Sequence, residues 1–506
     1  MSLSLEEIRR ATELLQSIDA DRTLLTGVPE EVRVALLAAA GKVAMPERTA
    51  IDRLGKAVRR RRGQEKRDHD KQMRKEAGIR EARERAVFLA PPPALPSHEP
   101  PPDAKVLEIP RDCYVCKVEY RQLHHFYDTL CWSCGELNYS KRFPKADLRG
   151  KVALITGARV KIGFQASLML LRSGASVIAT TRFPHDAADR YAREPDFESF
   201  RERLQIHGLD LRHAPSVEIF ARHLEATHER LDILINNAAQ TVRRPPGFYR
   251  HLLAGETRTF DSLPPVQQRL LAGHVDCLEQ LRPGHASEGS ALTASWRSSD
   301  AGLGIHSSAA LSLVPYDLEP SREAEQQLFP AGKLDADLQQ VDLRDINSWR
   351  LTLAQVDTSE MLEVHLVNAV APFILCSKLK GLMTRDRREP GHIVNVSAME
   401  GSFSRGTKTD KHPHTNMAKA ALNMLTLTSA RDYAKSNIFM NAVDTGWVTD
   451  EDPIQHAERK RQERDFHPPL DIVDGAARIV DPVFEAVRTG NTFSGIFYKD
   501  YAPTRW

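Results

Sequence analysis

The sequence is poor in cysteine, in long apolar runs and in net charge. Six cysteines in 506 residues are too few to staple a chain of this length, so a disulfide scaffold is excluded and a reducing, cytoplasmic setting is expected. No apolar run approaches the ~20 residues that span a bilayer. The opening MSLSLEEIRRATELL is acidic and amphipathic, without the basic start and apolar stretch of a secretory signal. No membrane partner is expected. The formal net charge is +2, so the chain as a whole is not built for nucleic acid and any basic surface is local. No internal repeat is found. What remains, 41% hydrophobic and 27% charged, reads as a soluble chain of several domains.

Along the chain, Leu3, Ile8, Ala11, Leu14, Leu15 and Ile18 share one helical face, and a second helix is expected at Glu30–Val43 after Pro29. Together they form a helical unit over 1–45. Residues 46–89 are strongly charged. The run Arg59–Arg62 could contact phosphates, but acids interleaved among the bases favour a solvated helix. Residues 90–104 are rich in proline, which favours an extended spacer, and mark the clearest domain boundary. A cysteine module (105–145) and an α/β region (150–506) follow. The second is interrupted by a polar insertion over 241–350, with helical patterns only at 246–254 and 264–282. It reads as a lid-like or partly disordered segment.

Cys113, Cys116, Cys131 and Cys134 form two C-x₂-C pairs, a spacing that aims four thiolates at one tetrahedral metal and points to zinc. It resembles zinc ribbons and treble-clef modules. His124 and His125 lie between the pairs and could compete as ligands, but four sulfurs already close the site. A closed site has no place for water, so a structural zinc is expected, with the module as a platform for a protein partner. A thioredoxin-like role lacks the βαβ context it needs. Cys277 and Cys376 are isolated.

Lys151–Thr156 is a short apolar strand. It meets Gly157-Ala-Arg-Val-Lys-Ile-Gly163 and then a helical pattern from Phe164 to Leu171. Strand, glycine turn and helix make a phosphate-binding loop, in which backbone N–H groups and a positive helix end face a pyrophosphate. A second strand, Ala175–Thr180, is followed by Arg182, with no acid where NAD-preferring sites hold a ribose. Arg182, Arg159 and Lys161 therefore favour NADP over NAD, against the plainer reading of Arg182 as an exposed residue at a helix entry. Further on stand Asp210-Leu211, Leu231–Ala239 with Asn237-Ala238, Asn368 in a helix, Gly391–Ala398, the helix of Lys419 and Asn441–Thr449 with Gly446. These motifs, in this order, resemble the short-chain dehydrogenase/reductase family over roughly 151–240 and 350–506. Thr156, Gly157, Ile162 and Gly163 match its fingerprint T-G-x-x-x-G-[IL]-G, and Lys161 replaces the middle glycine.

The resemblance implies a seven-stranded, doubly wound parallel sheet of the Rossmann type, with 492–498 supplying the last strand. It implies cofactor contacts from Thr156, Gly157, Arg159, Lys161, Ile162, Gly163, Arg182, Asp210, Leu211, Asn237, Ala238, Lys419 and Gly446. It also implies a homo-oligomer across the helices of Asn368 and Lys419. In the family's chemistry an Asn anchors water, a Ser orients the substrate oxygen, a Tyr moves the proton, and a Lys lowers the Tyr pKa and holds the ribose. Asn368 and Lys419 match. Ala398 stands at the serine position and Thr415 at the tyrosine position. Ser397 is one residue early, which turns a strand side chain to the other face, and Tyr433 aligns with an ordinary position. Two expectations follow. One is an NADP-dependent oxidoreductase with an atypical proton-transfer site at Asn368, Thr415 and Lys419, acting on an unidentified small molecule, with water or His414 supplying a proton. The other is a non-catalytic NADP sensor acting through the zinc module or the basic arm.

Overall fold

The computed structural model describes all residues except 1–2, 86, 92–104, 144, 282–299, 316–321 and 386–388. Nearly all of the proline-rich spacer therefore lies outside the described residues. The chain forms two compact units, 1–70 and 71–506, so the division falls about twenty residues before the proline run on which the sequence places it. The first unit is helical. Leu5–Ala20 opens with a capping box in which Ser4 and Glu7 satisfy each other's N–H groups, and Glu30–Ala44 follows. Ile18 and Leu25 are its buried hydrophobics. The helix Arg48–Lys75 begins in this unit, with Arg59–Arg62 exposed and Arg61 paired to Glu65 one turn on.

The second unit is built on strands buried on both faces, which is why they read as apolar runs rather than alternations. A hairpin of β1 (Val106–Asp112) and β2 (Glu119–Gln122) precedes the main sheet. That sheet comprises β3 (Val152–Thr156), β4 (Ser176–Thr181), β5 (Leu204–Gly208), β6 (Ile233–Asn236), β7 (Gly391–Ser397), β8 (Ile438–Asp444), β9 (Phe497–Lys499) and β10 (Ala502–Thr504). Their order is β10-β9-β8-β7-β6-β3-β4-β5. β3 to β9 are parallel, and the order reverses between β3 and β6, so a crevice opens at the carboxyl ends of these two strands. The sheet has eight strands rather than the expected seven. The extra one, β10, returns antiparallel through a two-residue turn at Asp500 (φ +49°) and Tyr501 (φ +68°). Such turns normally carry Asn-Gly, and its absence hid the hairpin.

One apolar core lies on each face. The first joins Lys161–Arg172 and Ile472–Thr489. The second joins Ala214–Thr227, Ala371–Thr384 and the end of Pro413–Lys435. Thr358–Thr384 is long and apolar enough by composition to cross a membrane, yet Leu375, Leu379 and Leu382 lie in the second core. The cysteine module shares the first core through Leu107, Tyr127 and Leu130. Within the insertion, Pro246–Glu256 and Pro265–Gln280 are helices close to the expected patterns.

Candidate functional site

The turn after β3 is latched by its own side chains. Thr156 Oγ1 accepts the N–H groups of Asn237 (3.1 Å) and Ala238 (3.0 Å), and Asn237 Nδ2 donates to the carbonyls of Thr156 (2.9 Å) and Gly157 (3.1 Å). Gly157 sits at φ +68°, and a Cβ on Gly163 would stand 2.2 Å from the Gly157 oxygen. Lys161, where the middle glycine would be, keeps a glycine-like backbone at φ +55°, which costs an L-residue roughly 1–2 kcal/mol. It stands at the start of a helix whose free N–H groups favour an anion. Ile162 turns away into the space left by Gly475. The pyrophosphate end therefore fits a dinucleotide.

At the end of β4, Arg182 donates to Tyr249 Oη (2.7 Å) and Ser312 Oγ (3.0 Å). Arg159 is buried and paired with Asp186 (2.7 Å), which also binds Arg190 (2.7 Å). The Asp210 carboxylate is gripped by Arg212 (2.6 Å), and its N–H donates to the Gly304 carbonyl (2.7 Å). Leu211 is buried beside it. Arg159 and Asp210 are thus already held by the chain. Tyr249, Ser312 and Gly304 belong to the insertion, whose sequence carries no motif that would flag them.

Asn368 lies in a π-helical turn, Leu366–Val370. Its amide clasps the Gln240 backbone, accepting from the N–H (2.8 Å) and donating to the carbonyl (2.9 Å). Ser397 donates to Asn423 Oδ1 (2.5 Å), away from the cleft, while Ala398 remains half-buried. The Thr415 hydroxyl is buried without a hydrogen-bond partner among the described residues. His414 is buried with Nε2 3.7 Å from Glu360, a carboxylate that the sequence did not single out. His412 adopts φ +42° and stacks on Trp349 at 3.8 Å. Gly446, at φ +76°, follows the end of β8 by two residues and lies against Leu470 and Tyr114.

Lys419 is buried, and its Nζ donates to the Val396 carbonyl (2.8 Å). Burial, only partly offset by Glu400, lowers this ammonium to about 8. A lowered lysine pKa destabilises the fold wherever the unfolded chain holds the extra proton. Stability should therefore rise with pH from about 8 to about 10. Lys419→Met should raise stability at pH 7 by roughly 3 kcal/mol and abolish that rise, as read by urea unfolding at pH 7 and 10.

The family model of short chain dehydrogenase matches residues 151–251, and a second, described as enoyl-(acyl carrier protein) reductase, matches 346–470. The chain belongs to the short-chain dehydrogenase/reductase superfamily. Neither match covers 252–345, the body of the insertion. Uncharacterized protein R665 of Acanthamoeba polyphaga mimivirus is 29% identical over 391 residues, 74% of this chain and 71% of that protein. That is longer than the two family matches combined. Mouse retinol dehydrogenase 13 is 37% identical over 95 residues, 19% of this chain, and the match spans only 28% of that enzyme. Among solved structures, a Pseudomonas aeruginosa RhlG/NADP active-site complex is 17% identical, covers 69% of this chain and 94% of its own, and has a TM-score of 0.41.

To this short-chain dehydrogenase frame the cysteine module adds a second centre. The sulfurs of Cys113, Cys116, Cys131 and Cys134 lie within 4.8 Å of one another, with Cys116 and Cys131 at 3.7 Å. Zinc–sulfur bonds of ~2.3 Å in a tetrahedron put sulfurs about 3.8 Å apart, so the set fits one ion. Lys117 at φ +63° closes the first knuckle, and Cys131 caps the helix Trp132–Lys141, whose positive end faces the thiolates. His124, His125 and Glu136 also converge. However, the N–H groups of Phe126 (3.0 Å) and Tyr127 (3.2 Å) donate to His124 Nδ1, which places the ring proton on Nε2, against Glu136 (3.0 Å). A metal on that nitrogen would need an imidazolate, so His124 and Glu136 read as a hydrogen-bonded pair rather than as metal ligands.

Tyr114, inside the first knuckle, accepts the Trp447 N–H at 2.9 Å, next to Gly446. The cysteine module thus touches the segment that leaves β8 at the cleft. Its position between two cysteines was the one available signal for this contact.

Proposed function

We propose that this chain is an NADP-dependent oxidoreductase whose proton transfer does not use the superfamily's serine and tyrosine. The observation that carries the reading is Lys419, a cleft lysine kept buried on a single carbonyl at a cost in stability. A strongly perturbed group of this kind in a cleft is a mark of function. The glycine turn supports dinucleotide binding, and Arg182 supports NADP over NAD because its guanidinium donates only to the Tyr249 and Ser312 hydroxyls and is ion-paired to no acid among the described residues. The cofactor, when bound, supplies a hydride. Lys419 would hold its ribose, Asn368 would fix the Gln240 backbone, and His414 beside Glu360 would deliver a proton. Without a phenol the suitable substrates are activated alkenes or imines, where less acid assistance is needed. The four thiolates would hold a structural zinc.

The test is a fluorescence titration with NADPH and NADH, then a screen of ketones, enones and imines for NADPH oxidation. Turnover of enones or imines is expected, and His414→Ala should lower it by about 10²–10⁴-fold with little change in NADPH affinity. Binding without turnover across the panel would leave the second reading, an NADP sensor signalling through the metal module. That reading draws on the buried, unpartnered Thr415 hydroxyl and on the Tyr114–Trp447 contact.

Self-association is proposed across the helices of Asn368 and Lys419, where Phe373, Met417, Met424 and Leu427 are exposed. Sedimentation should show a dimer that Phe373→Glu with Met424→Glu converts to monomer.

A further inference from the structure

We infer that the insertion completes a phosphate-monoester site on Arg182, with Tyr249 and Ser312 as the residues that distinguish NADP from NAD. This rests on the proposed dinucleotide binding and adds Tyr249, at the very end of the first family match, and Ser312, from a stretch that neither family match covers.

The argument starts from proton direction. A guanidinium only donates. Tyr249 Oη and Ser312 Oγ therefore both accept from Arg182, at 2.7 and 3.0 Å, and each keeps its own proton to give. Neither proton meets an acceptor among the described residues, although Tyr249 is only 8% and Ser312 5% exposed. Two buried hydroxyl protons and one guanidinium thus converge where a multi-oxygen acceptor is lacking.

Charge points the same way. The surrounding guanidiniums are matched by acids: Arg159 by Asp186, Arg212 by Asp210, and Arg244 by Asp342. Arg182 hydrogen-bonds through its guanidinium only to neutral groups among the described residues, and the one acid recorded as feeling its charge, Asp210, is already gripped by Arg212. Burial works against ionisation of the Tyr249 phenol, yet Arg182, helped by Arg244, outweighs it and draws the phenol below its usual value. The spot is one where negative charge is favoured.

The donors are also preorganised. Tyr249 stacks on Phe183 at 5.3 Å, and Ser308 Oγ donates to the Arg182 carbonyl at 2.9 Å, which fixes the insertion to the residue it serves. Arg182 follows the carboxyl end of β4, on the adenosine side of the crevice. A phosphate on a ribose there would take the guanidinium and both hydroxyl protons. A ribose hydroxyl in the same place could not use all three.

One contact supports the opposite outcome. Gly304, from the same segment, takes the Asp210 N–H, so the insertion could instead fill the adenosine half of the cleft and exclude the cofactor. The two outcomes differ in sign. In the full-length protein, Tyr249→Phe and Ser312→Ala should each weaken NADPH by about tenfold or more and leave NADH within about twofold. Tighter binding of both cofactors to Tyr249→Ala, or equal weakening of both in the conservative variants, overturns the proposal. Adenosine 2′,5′-bisphosphate against 5′-AMP is the second arm. If the native chain binds neither dinucleotide, the proposed function fails, but discrimination for the bisphosphate that is lost in Tyr249→Phe would still uphold the site. Absence of that discrimination as well would refute it. Unchanged thermal unfolding confirms that the variants are folded.

Discussion

Ala398→Ser together with Thr415→Tyr is expected to raise NADPH-dependent reduction of a simple ketone by about 10²–10⁴-fold. By the family resemblance, positions 398 and 415 are where such a pair would stand. Ala398 follows β7 in extended backbone and is half-buried at the crevice, whereas Ser397 beside it is committed to Asn423. Thr415 is one helical turn before Lys419, whose ammonium would pull a phenol toward neutrality. The Thr415 hydroxyl has no partner to lose. Tyrosine is much larger than threonine, and a tight fit could cost about 1–3 kcal/mol, so thermal unfolding is followed alongside steady-state rates. A folded double variant that binds NADPH and still reduces no ketone would show that the frame itself has drifted from the superfamily's chemistry.

If the four thiolates hold zinc as proposed, its removal should have the largest effect on structure. A four-sulfur zinc site contributes about 10–16 kcal/mol of apparent binding free energy, and the hairpin, knuckles and short helix it joins are too small to fold alone. One zinc per chain is expected by metal analysis. Chelation, or Cys113→Ser, should release amide protection over 106–141. Loss should extend to 447–470, because that segment leans on Tyr114 through Trp447 and on Arg83, which donates to the Leu470 carbonyl at 2.7 Å. β3 to β8 should remain protected. Hydrogen exchange that stays unchanged beyond residue 141 would mean that the module and the cleft are independent.

Much of this arrangement was legible because local signals decide it. Apolar runs buried on both faces gave the parallel strands, and the glycines at 157 and 163 marked a turn with no room for side chains. Cysteine spacing gave the four-sulfur cluster. Three features were not legible for identifiable reasons. β10 depends on a turn at Asp500-Tyr501 whose residue types do not advertise positive φ. The unit boundary at 70/71 falls inside a continuous helix, where no composition change marks it. Tyr249, Ser312 and Glu360 reach the cleft through long-range packing, which spacing along the chain cannot show. Arg159 illustrates the converse. Its place in the fingerprint suggested a ligand, and only the fold reveals that Asp186 already neutralises it.

The ion pairs under the cysteine module bear on how the protein can be handled. Arg142 is buried between Asp471 (2.8 Å) and Asp474 (2.9 Å), and Tyr127 and Arg478 extend the same network. A fragment trimmed to begin at the first Rossmann strand, the natural choice from family boundaries alone, would remove Arg142 and Tyr127 and strip the cover from these carboxylates and from the apolar core that the module shares. For expression and crystallisation the cysteine segment is therefore better regarded as part of the Rossmann domain's floor than as a detachable tag.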